Sequence, residues 1–397
     1  MDGAPMADSG GRERLLWTVA IFAFVTTEAV GFQLRGALLP SIERTFAVSQ
    51  ALLGLVATAG TLGFVVSAFV VGMVAGRIDI HRALLASAGV VAIAAFLTGL
   101  APVFPVFLAA LFVRGVATGP FRALDRAVLG HLYPEGRARV FNRYALVWAV
   151  GAASGPVVVT LALAAGNWRF AYALVGVGFV VSTALLVRLD LPASVRTERE
   201  LTLPELRTVV RKPAVAGMTG VLVLNGGVEG TLFTWLPYFA GQQLPAVSAN
   251  LVLSTFLAAY VPGRLTYSYL TDRTGRTLDL VLVTATLALP ILFATVFLVS
   301  GRELFVAVFA LGVVVSATFP TLSAFGMNAA PEFSGPVNAI ATAAGYVGIA
   351  LVPPLVGALA EWVGLELALG VLPLLLVGMI VVGSVTRVYQ VRFGGPT

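Results

Sequence analysis

The chain has no cysteine, only two histidines and a single lysine, Lys212, in 397 residues. Without cysteine there is no disulfide, no thiolate nucleophile and no zinc–thiolate site, and redox compartment leaves no mark on the sequence. His81 and His131 both fall near predicted helix ends, too little material for a catalytic metal site. Charge is scarce as well: 11% of residues are charged, 58% are hydrophobic and the mean hydropathy is +0.95. Such a composition does not describe a water-soluble surface. The net charge of +6 is spread as arginines over short loops, without the single basic patch that nucleic-acid binding needs. No phosphate loop, metal cluster or nucleophile–base arrangement is found, so neither an enzyme nor a cofactor is expected.

What is present is apolar sequence in long runs. Windows of about 20 residues give twelve candidate spans, so the fold class expected is an all-α membrane protein. A polar tail covers 1–14, six spans fill 15–189, a polar segment runs through 190–213, six more spans fill 214–386, and a short tail covers 387–397. The run from Leu15 lacks a short hydrophobic core followed by a cleavage site and is expected to be retained as the first span. Seventeen loop bases lie on the side of the N-terminus, and four (Arg35, Arg44, Arg169 and Arg302) on the other. Both termini are therefore expected to be cytoplasmic, in a plasma membrane. In the polar segment, Thr202-Leu-Pro-Glu205 has the pattern of a capping box opening a short helix.

The chain is also written twice. Leu39-Pro40 recurs as Leu236-Pro237, Pro134-Glu135 as Pro331-Glu332, Gly151 as Gly348 and Pro156 as Pro353, all with the offset of 197 residues that separates Pro40 from Pro237. Two pseudo-symmetric six-helix bundles follow from that doubling. Pro120, Pro156, Pro290, Pro320 and Pro353-Pro354 are expected to bend their helices. Gly54, Gly60, Gly63, Gly345 and Gly348 allow close helix approach.

Several stretches resemble signatures of the major facilitator superfamily. Ser268-Tyr-Leu-Thr-Asp272-Arg273-Thr-Gly275-Arg276 is similar to its cytoplasmic loop signature. The matching first-half stretch, Gly72-Met-Val-Ala-Gly76-Arg77-Ile-Asp79-Ile-His81-Arg82, has Gly76 in place of the acidic residue and Asp79 in place of the glycine. Leu111-Phe-Val-Arg114-Gly115 resembles the fourth-helix arginine motif, and Gly151-Ala-Ala-Ser-Gly155-Pro156 the fifth-helix Gly-Pro motif. A narrower resemblance, to the fucose–galactose–proton symporter branch, rests on Asn225-Gly-Gly-Val-Glu229-Gly-Thr-Leu-Phe-Thr-Trp235-Leu-Pro-Tyr238, on Gly263-Arg264 and on Phe141-Asn142. The superfamily implies a central cavity lined by the first, fourth, seventh and tenth spans, and a monomer that moves a small solute by alternating access.

Charges at depth are the candidate functional residues, because each costs roughly 2.5–3.5 kcal/mol at a span centre even on the lenient scale. They are Glu28, Arg114, Arg122, Asp125, Arg126, Glu229 and Arg264. Glu28, central in the first span, either carries a coupling proton or pairs structurally with an arginine; Arg35, seven residues on, shares its helix face. Glu229 with Asn225 one turn earlier either contacts solute and proton or makes a bond between the halves. Asp125 shares a broad face with Arg114 and Arg122. That cluster either neutralises itself or holds Glu28 or an anionic solute. Arg264 either snorkels or forms a gate. Gln33, Trp235, Tyr260, Asn328, Asn338 and Tyr346 could supply the stacking faces and hydrogen bonds of a sugar. Arg77, Asp272, Arg273 and Arg276 belong to the loop signatures. The reading is a proton-coupled transporter of a small polar, preferably sugar-like, solute in the lipid bilayer. Proton-driven export of drug-like molecules or metabolites, and a non-transporting receptor or scaffold, are its rivals.

Overall fold

The computed structural model describes residues 7–74, 77–190 and 203–393. Among these the chain is helical: α1 (Ala7–Phe46), α2 (Gln50–Val74), α3 (Ile80–Leu100), α4 (Phe104–Leu132), α5 (Arg137–Ala164), α6 (Arg169–Leu186), α7 (Leu203–Val210), α8 (Pro213–Ala240), α9 (Ala246–Ala258), α10 (Tyr260–Thr274), α11 (Thr277–Phe297), α12 (Leu304–Val315), α13 (Thr318–Ala329), α14 (Ser334–Val363), α15 (Leu365–Ala368) and α16 (Val371–Phe393). Gly76, Arg196 to Glu200 and the cap residue Thr202 lie outside the described residues. The short helix expected after Thr202 is α7.

Eleven helical segments are long and apolar enough to cross a membrane. The twelfth, α8, carries Asn225, Glu229 and five glycines in its 28 residues. It is nevertheless the most enclosed: most of its residues are buried, between α1, α9, α13, α14 and α16. A helix shielded from lipid by protein does not need a lipid-soluble surface.

Three expectations are adjusted by the helix bounds. First, α1 continues as one helix past Pro40 to Phe46, so Arg35 is not a loop residue but is buried inside the helix, 5% exposed. Second, the eighth span is interrupted at Ala259 between α9 and α10, and the tenth between Val315 and Thr318. Third, Pro320 sits in the first turn of α13. Its missing N–H would leave the Ser316 carbonyl unbonded, and Arg264 of α10 donates to that oxygen at 3.3 Å.

The repeat is visible in the packing. A Cβ on Gly151 of α5 would run into Thr26 of α1, and one on Gly348 of α14 into Val223 of α8, at equivalent positions. Gly115 likewise meets the Gly60 carbonyl and Gly312 the Phe256 carbonyl. Two six-helix bundles result, and they meet through α2 on α14, α5 on α9 and α1 on α8.

The start of α1 and the end of α16 lie at one membrane face, and the hydrogen bonds between bundles gather at the other. Tyr238 donates to Glu43 at 2.8 Å and accepts from Gln50 at 3.3 Å. The Ala51 amide donates to Glu361 at 3.0 Å. Asn250 donates to Thr160 and Ser254 to the Ala153 carbonyl. Thr58 donates to the Ala350 carbonyl at 2.6 Å, the oxygen that Pro354 leaves without its usual helical donor. Gly54 lies so close to Pro354 that a Cβ there would enter the α14 backbone. Gly54→Leu is thus expected to wedge the bundles apart at this face, at a cost of about 1–3 kcal/mol. The cysteine-free chain allows a direct measurement: spin labels at Ala47→Cys and Gln242→Cys should move apart in the Gly54→Leu background.

Candidate functional site

Glu28, Phe32 and Arg35 follow one another at four and three residues on α1, one helix face. That face lines a cavity with Gly60, Thr61 and Phe64 of α2, Arg114 and Thr118 of α4, Phe179 of α6 and Tyr346 of α14. Arg35 is held firmly. Its Nη1 donates to the Ala57 carbonyl at 3.0 Å and to Thr61 Oγ1 at 3.1 Å, its Nε to the Phe32 carbonyl at 3.0 Å, and it lies over the Phe32 ring at 3.9 Å. Arg114, 8% exposed, donates through Nη2 to the Gly31 carbonyl at 3.1 Å, while Nη1 is buried without an acceptor. Gly31 is what lets it lie there, since a Cβ would come within 2.8 Å of Nη1. Glu28 Oε2 is also buried without a partner. Among the described residues no ion pair joins Glu28 to either arginine.

Aromatic rings meet around the cavity. Phe64 and Tyr346 stand 4.5 Å apart, Phe32 and Tyr346 6.4 Å, and Phe32 and Phe233 6.3 Å. All three contacts run between the bundles.

The second carboxylate is in a different condition. Tyr260, at the start of α10, donates to Glu229 Oε1 at 2.6 Å, and Asn225 donates to Oε2 at 3.2 Å. Both oxygens are satisfied within the second bundle, and Arg264 stacks over Tyr260 at 5.3 Å. Arg264 therefore packs into the interrupted tenth span instead of extending towards the membrane surface.

Asp125 is fully buried and bound to a residue that the sequence reading did not single out. Tyr144 of α5 donates to Oδ2 at 2.5 Å, and Arg122 Nη1 lies 3.4 Å from the same oxygen and also donates to Tyr144. Oδ1 has no partner. Arg126 is exposed and stacks on the Tyr144 ring at 5.2 Å. Nothing in the sequence of α4 announces a tyrosine 19 residues away, whereas the seven-residue spacing of Glu28 and Arg35 did mark Arg35.

The remaining candidates do not converge on the cavity. Trp235 is buried and donates to the Pro353 carbonyl at 3.0 Å. Gln33 is fully buried, with neither amide atom bonded, against Gly155 of α5. Asn328 is exposed near the end of α13, and Asn338 lies in the second turn of α14. Asp272, Arg273 and Arg276 are exposed around the end of α10, where Gly275 takes the left-handed conformation, φ 63°, that closes the helix. Arg77 is exposed just before α3. Asp79, the departure from the first-half signature, caps α3: its side chain accepts from the Arg82 amide at 3.0 Å, and that bond holds its carboxyl below the usual carboxylate range.

The Asp125 cluster gives a stability prediction. Tyr144→Phe removes the shortest bond to a buried carboxylate and should cost about 1–3 kcal/mol. A lowered midpoint of thermal unfolding in detergent measures it, with Tyr133→Phe, whose hydroxyl bonds only Thr18, as the milder comparison.

The sequence profile of the Major Facilitator Superfamily matches residues 16–248 and 243–392. A 2-nitroimidazole transporter of Escherichia coli is 26% identical over 357 residues, 87% of this chain and 88% of that protein. A 3-(3-hydroxy-phenyl)propionate transporter of the same organism is 27% identical over 264 residues, 63% of this chain and 64% of that one. Among solved structures, a bacterial homologue of the human lysosomal transporter Spinster, inward-facing and occupied, superposes with a TM-score of 0.79 at 16% identity, covering 96% of this chain and 98% of that one. The Escherichia coli fucose:proton symporter FucP superposes with a TM-score of 0.65, also at 16% identity, covering 97% of this chain and 100% of that one. The narrower resemblance read from the sequence is thus one of fold.

Proposed function

This chain belongs to the Major Facilitator Superfamily and is a multi-pass membrane transporter of small solutes, not an enzyme, and from that premise we propose that it couples transport to protons through Glu28. One observation carries the reading: Glu28 faces the cavity with a buried carboxylate oxygen that has no hydrogen-bond partner. A carboxylate oxygen buried at a span centre without a hydrogen bond is costly, and such intramembrane carboxylates mark proton pathways. Glu229 is second in rank, because Tyr260 and Asn225 already satisfy both its oxygens.

The bundles are proposed to rock about the cavity, with residues 190–213 as the linker between them. The bias of loop arginines, with Arg35 now removed from the far-side count, puts the terminal face in the cytoplasm. The conformation described, latched at the far face, is then open inwards. A sugar has less support than the sequence reading gave it. Trp235, Asn328 and Asn338 lie away from the cavity, and its hydroxyl groups, Thr61 and Thr118, are already engaged by Arg35 and by the Arg114 carbonyl.

The test uses proteoliposomes with an imposed pH gradient and trial solutes taken from the relatives, 2-nitroimidazole and 3-(3-hydroxyphenyl)propionate. Glu28→Gln should lose gradient-driven accumulation while exchange of labelled for unlabelled solute persists. Accumulation that survives in Glu28→Gln would exclude Glu28 as the proton carrier.

A further inference from the structure

We propose that the cavity binds a small monoanion carrying a planar ring, an aromatic carboxylate in chemical class, and that this anion travels together with the proton on Glu28. The proposal rests on the proton-coupled reading above and adds the identity of the cargo class.

The charge balance of the cavity is its basis. Two guanidinium groups, Arg35 and Arg114, line it, against one carboxylate, Glu28. The acceptors the arginines have found are the carbonyls of Phe32, Ala57 and Gly31 and the Thr61 hydroxyl. Those bonds occupy N–H groups, Glu28 faces both guanidiniums but can balance only one of the two charges, and Arg114 Nη1 has no acceptor at all. A buried cation without a counter-ion is strongly unfavourable. The other carboxylate nearby does not serve, because Asp125 is already bound by Tyr144 and Arg122. A carboxylate from solution supplies what is missing: negative charge, and a planar pair of oxygens that matches a guanidinium fork.

The walls specify the remainder of the molecule. Phe32, Phe64, Phe179 and Tyr346 surround the two arginines. Both threonine hydroxyls are already engaged, Thr61 by Arg35 and Thr118 with the Arg114 carbonyl. The cavity is tight in this conformation, about 30 Å³, so a ring enters only as the contacts of Tyr346 with Phe32 and Phe64 part. Walls of this kind favour a ring with few hydroxyls, whereas a polyol would forfeit its hydrogen bonds to water there.

Coupling follows from the same charges. The groups facing Glu28 are Arg35 on its own helix, Arg114, Arg122 and Asp125 on α4, and Tyr346 on α14; α2 contributes Thr61, and α6 contributes Tyr172 beside the arginines. With Glu28 ionised, the cavity contains its own anion, which repels an incoming carboxylate. With Glu28 protonated, that repulsion is gone and both guanidiniums face the cargo. Proton and anion therefore favour each other's binding, by the same factor in each direction. A monoanion and a proton moving together carry no net charge across the membrane.

Binding is measured by calorimetry on the full chain in nanodiscs, with benzoate, its neutral isostere benzamide, and acetate as probes. Benzoate is expected to bind at least about 10-fold tighter than benzamide, tighter than acetate, and more tightly at acidic than at alkaline pH. Arg114→Gln should abolish the preference for benzoate and Arg114→Lys restore part of it, with thermal unfolding showing that both variants fold. Glu28→Gln should bind benzoate with the same affinity at both pH values. Equal affinity for benzoate and benzamide in the unaltered protein overturns the anion site without any variant, as does unchanged benzoate binding in a folded Arg114→Gln. The two readings fail separately. An Arg114-dependent preference that ignores pH leaves the anion site standing and removes the coupled proton. Loss of gradient-driven accumulation in Glu28→Gln without any anion preference does the reverse.

Discussion

Hydrocarbon offers no hydrogen bonds, so every polar group in this chain must find its partner within the protein. Most of the architecture can be traced to that constraint. Proline inside a span frees a carbonyl, and here the freed carbonyls are answered by named side chains. Thr58 reaches across the bundle interface to Ala350, and Arg264 reaches to Ser316. The first of these bonds also latches the two bundles, so satisfying a kinked helix and closing one face of the protein are one interaction. The same constraint explains why the least apolar span, α8, is the one most wrapped by other helices.

The constraint also sorts the buried charges. Glu229 has a donor on each oxygen, and Asp125 is bound by Tyr144 and Arg122 through Oδ2 while Oδ1 stays unpaired outside the cavity lining. Glu28 and Arg114 each keep an atom without a partner, and both face the same cavity. Unsatisfied groups are expensive in low dielectric, and two of them in one cavity mark a place where something else arrives. In the proposed reading the arrivals are a proton and a solute.

The two copies of the sequence divide the work between them. Positions that the copies share, such as Gly151 with Gly348, build the close helix crossings, and Pro40 and Pro237 both lie inside their helices. The charges obey no such symmetry. Glu28 corresponds to Asn225, Arg114 to Leu311 and Asp125 to Leu322. Both unsatisfied groups of the cavity belong to the first bundle, and the second contributes Tyr346 as a wall.

By itself the sequence determined the number of spans, the twofold repeat and the set of charges at depth, because these depend on hydrophobic runs and spacing along one strand of chain. The seven-residue spacing of Glu28 and Arg35 even placed the cavity's arginine on the correct face of its helix, although the arginine itself had been counted with the loops. The sequence could not say which charges are satisfied. Tyr144 answers Asp125 from another helix, Tyr260 answers Glu229 from across a broken span, and Thr58 answers Ala350 from 292 residues away. Whether a buried charge is structural or functional depends on its partners, and the partners are brought together only by packing. The tertiary structure alone decided that Glu28 and Arg114 each keep a buried atom without a partner in one cavity.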